Sequence, residues 1–67
     1  MSVAKVIEIT SASSISFDDA IKQGIARAVK TVQGVQGAWV QEQTLVVEGE
    51  KITEYRVNMK VTFILSN

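Results

Sequence analysis

Hydrophobic and polar positions alternate in the last part of the chain. From Glu54 onward, the even-numbered residues through 62 are charged or polar, and the odd-numbered residues through 65 are apolar or aromatic. Successive side chains of a β-strand point to opposite sides, so this pattern predicts a strand over Lys51 to Leu65 with one buried face. Gly37 to Glu48 is predicted as the preceding strand, and Glu48-Gly49-Glu50 as a hairpin turn between them.

A longer period marks the middle of the chain. Apolar residues recur there at spacings of three and four, at Phe17, Ile21, Ile25, Ala28 and Val32. This spacing predicts an amphipathic helix that begins at Phe17. Ser16 is its predicted N-cap, Asp19 stands near the capping-box position, and Gly34 is the predicted C-cap glycine. Gly24 costs about 1 kcal/mol relative to Ala in a helix, so it indicates either close packing or tolerance of a weak helix former.

The order of these elements predicts the fold class. Val3 to Thr10 is rich in β-branched residues and predicts a first strand, and Ser11 to Ser16 predicts a loop of small, mostly polar residues. The order is therefore β-α-β-β. We predict an α+β fold in one domain, residues 1–67, with a three-stranded antiparallel sheet and one helix packed across one face.

The face of the sheet away from the helix, called the open face below, carries the candidate binding residues. Simple alternation places these second-strand residues on the helix side: Ala38, Val40, Thr44 and Val46. It places the following on the open face, beside Arg56 and Asn58: Trp39, Gln41, Gln43, Leu45 and Val47. A face with exposed Trp and aliphatic side chains is predicted to be an interface.

Composition points the same way. The chain has 67 residues and contains no Cys, His or Pro. A domain of about 60 residues buries only about 60% of the surface of its unfolded chain. Disulfides and ordinary zinc sites are excluded, so oligomerisation is the remaining common means of stabilisation. We therefore predict a homo-oligomer.

Charge and residue types exclude several classes of function. Seven basic residues balance seven acidic ones, which predicts no nucleic-acid partner. No apolar run reaches 18 residues, so no membrane partner is predicted, and the lack of Cys fits a cytoplasmic location. Without His or Cys, only generic carboxylates remain for catalysis, so an enzyme is not predicted.

Three residues have a binding interpretation beside a structural one. Trp39 is either a stacking platform for a planar ligand or a plug in an interface. Arg56 either bonds a planar or anionic ligand or forms a salt bridge with Glu42 or Glu54. Glu42 is also able to ligate a hard cation on a symmetry axis, where several copies would meet.

The whole-length pattern resembles the dodecins, small β-α-β-β proteins that assemble into hollow homododecamers. The matching segments are KVIEI at Lys5 to Ile9, FDDAI at Phe17 to Ile21, GIARA at Gly24 to Ala28, and EYRVNMKVTFIL at Glu54 to Leu65. In flavin-binding dodecins a Trp on the second strand stacks on the flavin and a Gln on the third strand bonds its edge. An ungapped register places Gly37 and Arg56 at those positions, and Trp39 two residues further along.

The resemblance implies a homododecamer that stores or buffers a small ligand without catalysis. The implied ligand is a flavin, riboflavin or FMN, held by the open-face residues Trp39, Gln41, Arg56 and Asn58. The alternative is a dodecin-like assembly without flavin, which binds calcium, other ions or anionic ligands, or has a structural role. The sequence places no metal site.

Overall fold

One helix and three strands make up the computed structural model, which describes residues 2–65. They are β1 (Ala4–Ser13), α1 (Phe17–Thr31), β2 (Val35–Glu48) and β3 (Lys51–Ile64). The strands form one antiparallel sheet in the order β1-β3-β2, so the last strand is central. The predicted β-α-β-β fold is confirmed. Residues 1, 66 and 67 of the predicted domain lie outside the described residues.

The first strand is longer than predicted. It continues past Thr10 to Ser13, and the connection to the helix is correspondingly short. Ser11, Ala12 and Ser13 pair with residues 57, 56 and 55 of β3. Small polar residues have low strand propensity, but pairing with a neighbouring strand overrides it.

The core lies between α1 and the alternating face of β3. Val57, Met59 and Val61 are fully or almost fully buried, together with Ala20 and Ala28 of the helix. The predicted buried face of β3 is confirmed. Phe17 meets Tyr55 edge to face with ring centroids 5.2 Å apart, which is a favoured aromatic geometry.

Gly24 lies where the helix packs tightly against β1 and β3. A Cβ atom at this position would lie 2.6 Å from Met59 Cε and 3.1 Å from Ser11 Cβ. Those distances are shorter than van der Waals contact. Close packing is therefore the reason for this glycine, rather than tolerance of a weak helix former.

Ser16 begins the helix as predicted, but the role of Asp19 differs. The Ser16 hydroxyl accepts a hydrogen bond from the Asp19 amide at 3.0 Å. The Asp19 carboxylate bonds to other groups instead of reaching back as in a capping box. It accepts from Ser13 Oγ at 2.6 Å and from Gln23 Nε2. Ser13 Oγ also accepts from the Ile15 amide at 2.9 Å, so this buried hydroxyl joins the end of β1 to the start of α1.

We expect Ser13→Ala to destabilise the protein by about 1–3 kcal/mol, because it removes the hydrogen bonds of this hydroxyl to the charged Asp19 carboxylate and from the Ile15 amide. Ser13 is only 6% exposed. Chemical denaturation at a fixed protein concentration measures the change. Ser14→Ala, an exposed neighbour, is the control, and equal stabilities of the two variants would contradict the expectation.

The helix ends earlier than the predicted glycine cap. Val32 is the C-cap, and its amide donates to Ala28 O at 2.9 Å. The prediction of Gly34 as the cap was therefore wrong. Gly34 has φ +79° and accepts a hydrogen bond at its carbonyl from the Ile64 amide. A Cβ there would lie 2.9 Å from Ile64 O, so this glycine permits the turn onto the end of β3.

A β-bulge at Gln41 shifts the side-chain alternation of β2 by one residue, so the residues after it lie on the face opposite to the predicted one. Val40 pairs with Met59 and Glu42 with the next residue of β3, Asn58, so Gln41 has no residue opposite it. Paired residues of an antiparallel sheet share a face. Trp39, opposite Lys60, lies on the open face as predicted. Ala38 and Val40 lie on the helix side, which was also predicted.

Beyond the bulge the predicted alternation is wrong by one residue. Gln43 and Leu45 lie opposite Val57 and Tyr55 on the helix side, whereas Thr44 and Val46 lie opposite Arg56 and Glu54 on the open face. The extra residue shifts the alternation, as bulges do. The open face is consequently more polar than predicted, because Thr44 takes the place on it that was predicted for Leu45.

Candidate ligand-binding face

Three rows of paired residues cross the centre of the open face. Each row takes one residue from β1, one from β3 and one from β2. In order along the sheet the rows are Glu8–Lys60–Trp39, Thr10–Asn58–Glu42 and Ala12–Arg56–Thr44. The sheet therefore places two carboxylates, two cations, an amide and an indole next to one another.

Trp39 is accessible on this face. The residue is 50% exposed, and Lys60 Nζ lies 5.9 Å from the ring centroid. That distance is at the limit of a cation–π contact, which at an exposed site contributes about 0.5–1 kcal/mol. The ring is thus available for stacking, with a positive charge beside it.

Arg56 forms one of the two ion pairs foreseen for it. Its Nε donates to Glu54 Oε1 at 2.9 Å, with both side chains about half exposed. The partner is Glu54 and not Glu42. An exposed pair of this kind contributes about 0–1 kcal/mol, so a ligand could compete for the guanidinium.

Asn58 holds the middle of the central row. Its Nδ2 donates to Thr10 Oγ1 at 3.0 Å, and its buried Oδ1 has no hydrogen-bond partner among residues 2–65. Leaving such an acceptor unpaired costs about 1–3 kcal/mol. Glu42 is the residue opposite Asn58 on β2. Because this oxygen has almost no exposed surface, the amide has to rotate before a donor or a cation over this row can bond to it.

The remaining predicted site residues lie apart from this row. Gln41 is the unpaired bulge residue between Trp39 and Glu42. Gly37 lies opposite Thr62, and a Cβ built there meets nothing within 4 Å. The sheet brings Trp39, Asn58 and Arg56 together, and space lies open at Gly37. Thr10 and Lys60, which the sequence interpretation missed, belong to the same surface, because the register across strands is a non-local property.

A complete metal site is not formed by one chain. No group of three or more His, Cys, Asp or Glu side chains converges within residues 2–65. The central row nevertheless provides three kinds of oxygen: a carboxylate from Glu42, an amide oxygen from Asn58 and a hydroxyl from Thr10. Hard cations such as Ca²⁺ prefer oxygen ligands and take six to eight of them, so several copies or waters would have to complete the shell.

Comparison with protein families decides the classification. The dodecin family model matches residues 3–66. The chain belongs to the dodecin family. Calcium dodecin from Mycobacterium tuberculosis is 35% identical over 63 residues, which cover 94% of this dodecin and 89% of that protein. The matched family and this relative indicate a ligand-binding protein and no enzyme family.

Solved dodecin structures have the same fold. A single-residue mutant of Thermus thermophilus dodecin superposes with a TM-score of 0.94 at 28% identity, over the full length of both chains. Dodecin from Streptomyces davaonensis gives 0.93 at 30% identity, covering 98% of this chain and 97% of that one. The M. tuberculosis calcium dodecin, described with a novel calcium-binding site, gives 0.81 at 35% identity over 91% of this chain and 87% of that one.

No helix among residues 2–65 of this dodecin has the length and apolar character needed to cross a bilayer.

Proposed function

We propose that this dodecin is a non-catalytic homododecamer that binds calcium at its open face and so stores or buffers the ion. The observation that carries the proposal is the row Thr10–Asn58–Glu42, in which an amide oxygen without a hydrogen-bond partner lies in register with a carboxylate. The relative from M. tuberculosis, named a calcium dodecin, supports this choice of ligand.

Symmetry would complete the calcium site. Glu42 is exposed on β2, an outer strand of the sheet. When open faces of several copies meet, each copy contributes one carboxylate and one amide oxygen. The multiple carboxylates supply the negative charge that tunes calcium affinity in proteins, and this arrangement needs no acidic cluster within one chain.

A flavin, riboflavin or FMN, is the second candidate ligand. The half-exposed ring of Trp39 favours it, with Lys60 Nζ close by. Arg56, Asn58 and Gln41 would supply hydrogen bonds at the edge of the flavin. Gly37 and Arg56 stand where the resemblance to flavin-binding dodecins expects Trp and Gln, and for that reason calcium ranks first.

Calcium titration of chelator-treated protein tests the proposal. We expect Glu42→Gln to weaken binding by about tenfold or more, because one negative ligand is lost from every copy. Asp18→Asn, which also neutralises one exposed carboxylate but lies in the first turn of α1, away from the open face, is the control and should bind like wild type. Isothermal titration calorimetry measures both. Wild-type protein that binds no calcium, or a Glu42→Gln variant that binds normally, would contradict the proposal.

Absorbance and fluorescence distinguish the second candidate. A purified protein with the visible absorbance of flavin, or quenching of Trp39 fluorescence at micromolar riboflavin or FMN, would favour flavin. Light scattering tests the assembly separately. We expect a mass of about twelve times the 7.3 kDa subunit, and a monomer would overturn the homododecamer.

A further inference from the structure

A groove lies between α1 and the free edge of β1. Strand β1 forms one edge of the sheet, and β2 forms the other. The groove has a volume of about 450 Å³. Aliphatic side chains of Ile7, Ile9 and Ala28 line it, together with the polar residues Ser11 and Thr31. Arg27 is the one charged residue among the described residues that line the groove. Its occupant should therefore be partly apolar and negatively charged.

The far end of the β2–β3 hairpin is uncovered. Strand β1 ends at Ser13, which pairs with Tyr55, so residues 46–53 extend beyond the three-stranded part of the sheet. Val47 is 57% exposed and Ile52 46% exposed in this hairpin end. An isolated two-stranded hairpin is at best marginally stable in water, so this end needs a surface to pack against.

The hairpin end is partly apolar and negatively charged, as expected of the occupant of the groove. It presents two aliphatic side chains, Val47 and Ile52, and two glutamates, Glu48 and Glu50, against one lysine. Lys51 lies opposite Glu48 in the strand register, and the two glutamates leave the turn with one negative charge in excess. Glu50 is exposed in the turn itself, and Arg27 is the cation in the groove.

Geometry prevents the hairpin end from reaching the groove of its own chain. The hairpin end continues β2 and β3 beyond the last residue of β1, whereas the groove lies beside β1 within the three-stranded part of the sheet. The hairpin end projects beyond Ser13, away from the groove residues Ile7 and Ile9, in a molecule 51 Å long. The contact has to form between two copies. Because the two surfaces differ, it is a head-to-tail contact, which closes into a ring when the rotation between copies allows it.

We infer that the hairpin end of one copy, residues 46–53, docks into the α1–β1 groove of the next copy, with Glu50 paired to the partner's Arg27. The inference rests on the proposed homo-oligomeric assembly and adds to it the two surfaces that meet. Val47 and Ile52 supply the apolar part of the contact against the aliphatic lining of the groove.

Charge reversal with light scattering tests the contact. Arg27→Glu should raise the apparent dissociation constant of the assembly about tenfold or more. Adding Glu50→Arg to this variant should restore the wild-type mass. Lys22→Glu is the control, the same change on the same helix at a residue that does not line the groove, and it should assemble like wild type. Val47→Asp should also dissociate the assembly while the helical circular dichroism signal is retained.

Any one of three results would overturn the contact: Arg27→Glu assembles normally, Lys22→Glu weakens the assembly equally, or adding Glu50→Arg to Arg27→Glu fails to restore the mass. Wild-type protein that assembles and binds calcium in spite of such a result would leave the proposed function standing. A monomeric wild type would overturn both.

Discussion

Gly24→Leu is expected to be among the most damaging single substitutions in this dodecin. The Cβ alone would lie 2.6 Å from Met59 Cε and 3.1 Å from Ser11 Cβ, and the rest of the leucine side chain has no space between α1 and the sheet. Overpacking a core costs about 1–3 kcal/mol and occasionally more. We expect the upper end of this range, because the neighbouring Met59 is almost fully buried.

Ala26→Leu is the control for this substitution. Ala26 is exposed on the same helix, so a leucine there should leave the free energy of unfolding nearly unaltered. Gly24→Ala should have an intermediate effect on stability. Alanine favours the helix over glycine by about 1 kcal/mol, but its Cβ forces the flexible end of Met59 to move. Denaturant titration at a fixed protein concentration measures all three. An unchanged midpoint for Gly24→Leu would contradict the packing interpretation.

Met59→Ala is expected to cost about 2–5 kcal/mol, the usual range for truncating a large core side chain. Met59 is 1% exposed and belongs to the buried cluster with Ala20 and Val57. Thermal or chemical unfolding at a fixed protein concentration provides the measurement. Val29→Ala, at an exposed helix position, is the control and should change stability by less than about 0.5 kcal/mol.

Gly24 and Met59 touch, so their effects should not add. In the double variant Gly24→Leu/Met59→Ala, the new leucine has access to the volume that the methionine vacates. The loss of stability should be smaller than the sum of the two single losses, by about 0.5–3 kcal/mol for residues in direct contact. Strict additivity would show that the two side chains do not share this space.

The elements that the sequence predicts well depend on neighbours along the chain. The helix start at Phe17 follows from a Ser N-cap and an apolar spacing of three and four. The buried face of β3 follows from strict alternation, and the hairpin turn follows from Gly49, which has φ +64°. In each case the deciding interactions are local, so the pattern alone is sufficient.

The details that sequence analysis missed depend on residues far apart in the chain. Nothing in the residues around Gln41 marks it as a bulge, because a bulge is defined by the strand opposite. Asp19 has the position of a capping residue, yet its carboxylate accepts a hydrogen bond from Ser13 Oγ. The row Thr10–Asn58–Glu42 combines three segments, and the register that aligns them is fixed by packing of the whole sheet. Trp39, Asn58, Arg56 and Gln41 therefore remain predicted ligand contacts.

The strand order also determines when the protein can fold. Strand β3 is the last of the four elements within residues 2–65, yet it lies in the centre of the sheet and Ala4 pairs with Ile64. During synthesis, β1 and α1 consequently emerge before the strand that they pack against. The β2–β3 hairpin forms by closing a short loop. Pairing of β1 with β3 brings together residues that are far apart in the sequence, and such non-local contacts slow folding. Until then Ile7 and Ile9 stay uncovered, so the nascent chain is most prone to aggregation just before β3 is complete.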